Sequence, residues 1–149
     1  STVNTATASV TGTVYSDKLV ANEDITVLKG CLDLFREALE KNPKIVPVGR
    51  PWNDNERQSR IEHLKHVYQI YTDMESGKNS VEIDNTVICF DLSENDVLAS
   101  CCSCKYAISA LKGEAKGKMP PNSPEIVDKL LNTFEILGVN KNAMMFEYE

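Results

Sequence analysis

SENDVLASCCSCKYAISALK, residues 93–112, sets three of the chain's five cysteines within four positions. The stretch reads as one helix. Ser93 stands where an N-cap is expected, and Asp96, three residues on, takes the place that a capping box gives to Glu or Gln. At about 100° per residue, Cys101 and Cys104 share a face with Val97, Ile108 and Leu111. Cys102 falls with Leu98 and Ser109 instead. Ala99, Ser100, Ser103, Ala107 and Ala110 are small enough to let another element approach closely. The spacing therefore predicts a helix whose thiols pack against neighbours.

That reading excludes the commoner chemistry of clustered cysteines. A redox C-x-x-C pair draws its reactivity from a helix N-terminus, whereas Cys101 and Cys104 lie about two turns inside this helix. A zinc site would need two more ligands. Only His63 and His66 in HLKH (63–66) offer them, on a helix whose apolar stripe turns away from His66. No metal and no cofactor is expected. Cys102, off the core stripe, is the one thiol left as a candidate reactive group, with His63 and His66 as conceivable general bases. No nucleophile, Gly-rich phosphate loop or zincin motif accompanies them. Enzymatic activity is not expected.

Outward from this helix, three more amphipathic segments are predicted. The first spans about 23–41, with Leu28, Cys31, Leu32, Phe35, Ala38 and Leu39 at helical spacing, and ends at Asn42-Pro43. The second covers about 54–75, capped by Asn53 or Asp54, with Ile61, Leu64, Val67, Tyr68, Tyr71 and Met74 inward. The fourth begins at Ser123-Pro124, read as cap and first helical position, and runs to Gly138. Strands are predicted in VEIDNTVICF (81–90), with Asp84-Asn85 as a kink or turn, and in AMMFEYE (143–149). KIVPVGRPW (44–52) is an extended connector whose prolines forbid a central strand. The fold class is α+β: a helix-rich single domain over residues 1–149, about four helices with a small sheet of short strands. Residues 1–20 are expected to form an edge strand or mobile arm, and 113–123 a flexible loop.

Composition bounds the function. One domain is the default at 149 residues. A net charge of −6 and a pI near 5.0 argue against nucleic-acid and membrane-surface binding. No apolar run approaches the roughly 18 residues of a membrane span. An odd cysteine count and no Asn-x-Ser/Thr sequon fit a reducing, cytoplasmic setting.

Against this acidic background, GRPWNDNERQSR (49–60) stands out. From Lys41 to Lys65, Lys41, Lys44, Arg50, Arg57, Arg60 and Lys65 face only Asp54, Glu56 and Glu62, and the single tryptophan, Trp52, sits beside a helix start. A helix N-terminus favours anions, guanidinium forks match phosphate, and an indole stacks on planar rings. Arg50, Trp52, Arg57 and Arg60 are thus candidate ligand-binding residues for a nucleotide or other phosphorylated small molecule. Lys116 and Lys118, on the glycine-hinged loop, are candidates to close over it. Asp91, Glu94 and Asp96 form an acidic cluster that would suit Mg²⁺ only beside a bound phosphate. The leading expectation is a soluble, non-enzymatic interaction or regulatory protein acting on a protein partner or by self-association. Its apolar C-terminus (Met144, Met145, Phe146, Tyr148) would be buried in the sheet or at a subunit interface. The alternative is the anionic small-ligand binder.

Overall fold

The computed structural model describes residues 22–47, 49, 51–83, 86–89, 92–113, 115, 117–136 and 146–147. The arm or strand expected in 1–20, the candidates Arg50 and Lys116, and Asp91, Met144, Met145 and Tyr148 lie outside them.

Four helices occur among the described residues: α1 (Asn22–Lys41), α2 (Asp54–Ser76), α3 (Glu94–Ala110) and α4 (Ser123–Ile136). Local sequence explains their ends. Asn53 accepts the Glu56 N–H at 2.8 Å while the Glu56 carboxylate accepts the Asn53 N–H at 3.2 Å, a complete capping box for α2. Gly77 closes α2 in the left-handed region, φ 79°, returning its N–H to the last turn. Ser93 and Asp96 form a second capping box for α3, at 3.2 and 3.0 Å. The start of α4 differs from the sequence reading. The Ile126 N–H bonds to the Asn122 carbonyl, so Asn122 takes the cap position and Ser123 lies inside the helix.

α1 and α3 form the central pair: each packs against the other and against both α2 and α4. α1 buries Leu28, Cys31, Leu32, Phe35 and Leu39 of the stripe its spacing predicts, leaves Ala38 only partly buried, and adds Ile25. α3 is covered on more than one side, since Val97, Ala99, Ser100, Cys101, Cys102, Ser103, Cys104 and Ala107 are all buried. A single-face reading placed Cys102 outside the core; it is instead 3% exposed. The small side chains admit helices on two flanks, which a single apolar stripe does not anticipate.

Most of the polar groups this burial traps are paired, Ser123 Oγ and Asn79 Oδ1 being exceptions. Ser100 donates to the Asp96 carbonyl at 2.8 Å, so its single proton is spent and the Tyr71 hydroxyl donates to it at 2.7 Å. Ser103 donates to the Ala99 carbonyl. Asp24, in the first turn of α1, is 2% exposed and pairs with Lys129 of α4 at 2.7 Å. Met119, from the loop before α4, seats against Gly30 of α1. A Cβ added there would meet its methyl at 2.8 Å, so the flexible tip of Met119 would have to shift.

The strands are subsidiary. β1 (Val46–Pro47) pairs antiparallel with β4 (Phe146–Glu147), and β2 (Ser80–Ile83) with β3 (Thr86–Cys89). Ile83 faces Thr86 in the second pair, leaving two residues between the strands. The pairs stay separate, so the fold is predominantly helical and the α+β expectation holds in its helical part. No described helix is long and apolar enough to cross a membrane.

Candidate functional site

The polar segment that the sequence singles out separates into two uses. Arg57, on the first turns of α2, faces the C-terminal end of α1. Its Nη1 donates to the carbonyls of Leu39 and Asn42 at 3.1 and 3.3 Å, and its Nη2 to those of Pro43, at 3.1 Å, and Ile45. The last carbonyls of a helix lack intrahelical donors, so one guanidinium fork here serves the end of α1 and the connector beyond it. Its Cζ also lies 5.7 Å from the Trp52 ring centroid. Arg57 is therefore committed within the chain.

Arg60 is placed differently. One turn further along α2, it lines a cleft of about 550 Å³ with Trp52, Asn53, Glu56, His63 and Asn95. The volume falls within the range of small-ligand pockets. Among the described residues no hydrogen bond or ion pair reaches its guanidinium, which is half-buried. Burial pulls Arg60 below its ordinary range, and nearby Cys102 opposes that only in part. Even so, the group keeps its charge at neutral pH. A sheltered cation that makes no ion pair among the described residues is the unusual feature of this cleft.

His63 supplies the second nitrogen base of the wall. Its Nε2 lies 2.7 Å from Asp96 Oδ1 on α3, and Asp96 is 5% exposed. Burial alone would raise the Asp96 carboxyl, but the bonds from His63 and from Ser93, backbone and side chain, outweigh it and hold the group below its usual range. Asp96 thus stays ionised, and Nε2 is the protonated nitrogen that donates to it. The remaining oxygen accepts the Ser93 N–H. Both carboxylate oxygens are engaged within the chain, which leaves Asp96 poorly placed to hold Mg²⁺.

The capping boxes also alter the anion argument. The starts of α2 and α3 both border the cleft, yet an N–H at each is taken by Asn53 or Ser93. Attraction for an anion here rests on Arg60 and His63 more than on free helix termini.

Lys118 lines a different cleft, of about 410 Å³, with Lys41, Tyr106 and Ala115. It is not brought together with Trp52 and Arg60. Cys31, Cys101, Cys102 and Cys104 are free, buried thiols, Cys31 and Cys104 within hydrogen-bonding reach of each other in the core. Cys102 is pushed up to about 12, first by burial and then by Cys101. Such a thiol is held in its protonated, unreactive form. No group of three His, Cys, Asp or Glu among the described residues is disposed to hold a metal ion.

Sequence reasoning missed the His63–Asp96 pair and Asn95. Their signal was present: Asp96 at the third position of a capping box is fixed in orientation, and a fixed, buried carboxylate needs a donor. Compared with family models, curated proteins and solved structures, the chain matches none.

Proposed function

We propose that the protein is a non-enzymatic binder of a small anionic ligand bearing a planar ring, a nucleotide being the simplest example, in the cleft between the starts of α2 and α3. The observation that carries this reading is Arg60: half-buried, charged, lining a ligand-sized cleft and, among the described residues, in no ion pair. A bound phosphate or carboxylate supplies the counter-charge and the hydrogen bonds that the fork is built to make. Trp52, in the same wall, offers a face for the ring. Asn53 and Asn95 add amide groups of the kind that fix orientation. The inert Cys102 supports binding over nucleophilic chemistry. The proposal keeps the α+β class, with β1 and β4 bracing the connector that leads to Trp52.

The reading centred on a protein partner or self-association loses one support. Phe146–Glu147, part of the apolar C-terminus, is paired with β1 of its own chain. Size-exclusion chromatography with and without residues 143–149 tests it directly.

The ligand reading is tested by calorimetry with AMP and with inorganic phosphate. Saturable binding of both is expected, with AMP the tighter. Arg60→Ala should weaken each about tenfold or more, the scale of a lost charge-assisted bond. Trp52→Ala should weaken AMP and spare phosphate. Absence of binding by either probe, or binding that Arg60→Ala leaves intact, overturns the proposal.

A further inference from the structure

The cleft holds a titratable group set between a fixed anion and a fixed cation. We infer that anion binding in this cleft is coupled to protonation of His63, so that the ligand is held more tightly in mildly acidic than in mildly alkaline solution. The inference rests on the ligand reading above and adds its regulation.

The geometry supplies the reason. With His63 neutral, the two fixed charges on either side of it are Arg60 on the preceding turn of α2 and Asp96 on α3, and they largely cancel. With the Glu56 carboxylate also in the wall, an incoming anion then meets a cleft without net positive charge. Nε2 already carries a proton toward Asp96, at 2.7 Å, so Nδ1 is the atom that gains the second one. Asp96 cannot withdraw from the cation that results, because its other oxygen is pinned by the Ser93 N–H at 3.0 Å. Protonation therefore adds a full positive charge to a wall shared with Arg60.

The other groups facing the imidazole are accounted for. His66 on the same helix stacks at 6.4 Å and is exposed, so a second charge there opposes the first only through solvent. Glu56, also in the wall, accepts the Asn53 N–H. Glu62 pairs with Lys65 at 3.1 Å. Cys102, within electrostatic reach of Arg60, stays a neutral thiol. With an anion seated, Arg60 is neutralised and the anion itself attracts the proton. Linkage makes the effect reciprocal: whatever the anion does for the proton, the proton does for the anion.

The probe must not titrate where histidine does. A phosphomonoester changes charge near pH 6, whereas the phosphodiester of cyclic AMP carries one negative charge throughout. Calorimetry with cyclic AMP, in two buffers of different ionisation enthalpy, reads affinity and proton uptake together. Binding should be about fivefold tighter at about pH 5.5 than at about pH 8, with net proton uptake near neutrality. His63→Gln should bind with an affinity that no longer depends on pH. Asp96→Asn, which removes the charge paired with Nε2, should alter the pH dependence of binding, which a merely structural role for Asp96 would not do. Binding that persists in wild type without pH dependence, or a pH dependence that His63→Gln leaves unchanged, overturns this inference and spares the ligand reading. Absence of binding at every pH overturns both.

Discussion

Replacing Arg57 by alanine removes the four bonds that join α2 to the end of α1 and its connector. Three of the four are sheltered; the bond to Pro43 is exposed and its carbonyl can turn to water. A net hydrogen bond is worth about 1 kcal/mol, more when one partner is charged, and an exposed one contributes little. The sheltered bonds together therefore place the loss at about 3 kcal/mol, to which the contact with Trp52 adds about 0.5 kcal/mol. For a chain of this length, each kcal/mol lowers the Tm by about 2–4 °C, so a drop of roughly 7–14 °C is expected for the combined loss of about 3.5 kcal/mol. Urea denaturation followed by circular dichroism measures the same loss as a free energy. Arg57→Lys tests the geometry, since a single ammonium cannot span carbonyls from four residues and should recover only part of the difference. A loss below about 1 kcal/mol for Arg57→Ala would refute the reasoning, showing that these carbonyls find water as readily as they find the guanidinium.

Three further outcomes follow from the same structure. Asp96→Asn should destabilise the fold by about 1–2 kcal/mol at neutral pH. Because the folded-state carboxyl is held low, wild type loses that advantage as pH falls through the carboxylate range, so the gap should close in acid; a gap that widens there contradicts the pairing. Cys102, at about 12, is thiolate in only about one molecule in a hundred thousand at neutral pH, so iodoacetamide should label it on unfolding and not before. Rapid labelling of the folded protein, located by peptide mapping, would contradict its burial. Tyr71→Phe removes the donor to Ser100 and leaves the Ser100–Asp96 bond in place, which should cost about 1 kcal/mol in thermal unfolding; a change near zero would show the hydroxyl to be idle.

Much of the helical frame is legible in the sequence because it is local. Asn53 with Glu56 and Ser93 with Asp96 are capping patterns readable over four residues, and the stripe from Leu28 to Leu39 needs only the helical period. What escapes is tertiary. The helical wheel of α3 assigns one inner face, but Ala99, Ser103 and Ala107 admit neighbours on several sides and so bury Cys102 as well. Arg57 and Arg60 look alike in sequence, three residues apart with similar flanks. Only the path of the chain after α1 decides that the first meets four carbonyls and the second meets none. Lys118 belongs by composition with the other basic candidates, yet the turn before α4 carries it to another cleft. His63 and Asp96 are 33 residues apart, and no spacing rule joins them.

The central claim is that Arg60 and Trp52 form one ligand site. Heteronuclear NMR of the full chain during titration with AMP tests it most directly, followed at the Trp52 indole N–H, the Arg60 side-chain N–H and the Lys118 amide. The account predicts saturable shifts of the first two with a common midpoint, while Lys118 in the second cleft stays in place. Shifts confined to Lys118 and its surroundings, or no saturable shift at Arg60, would contradict it.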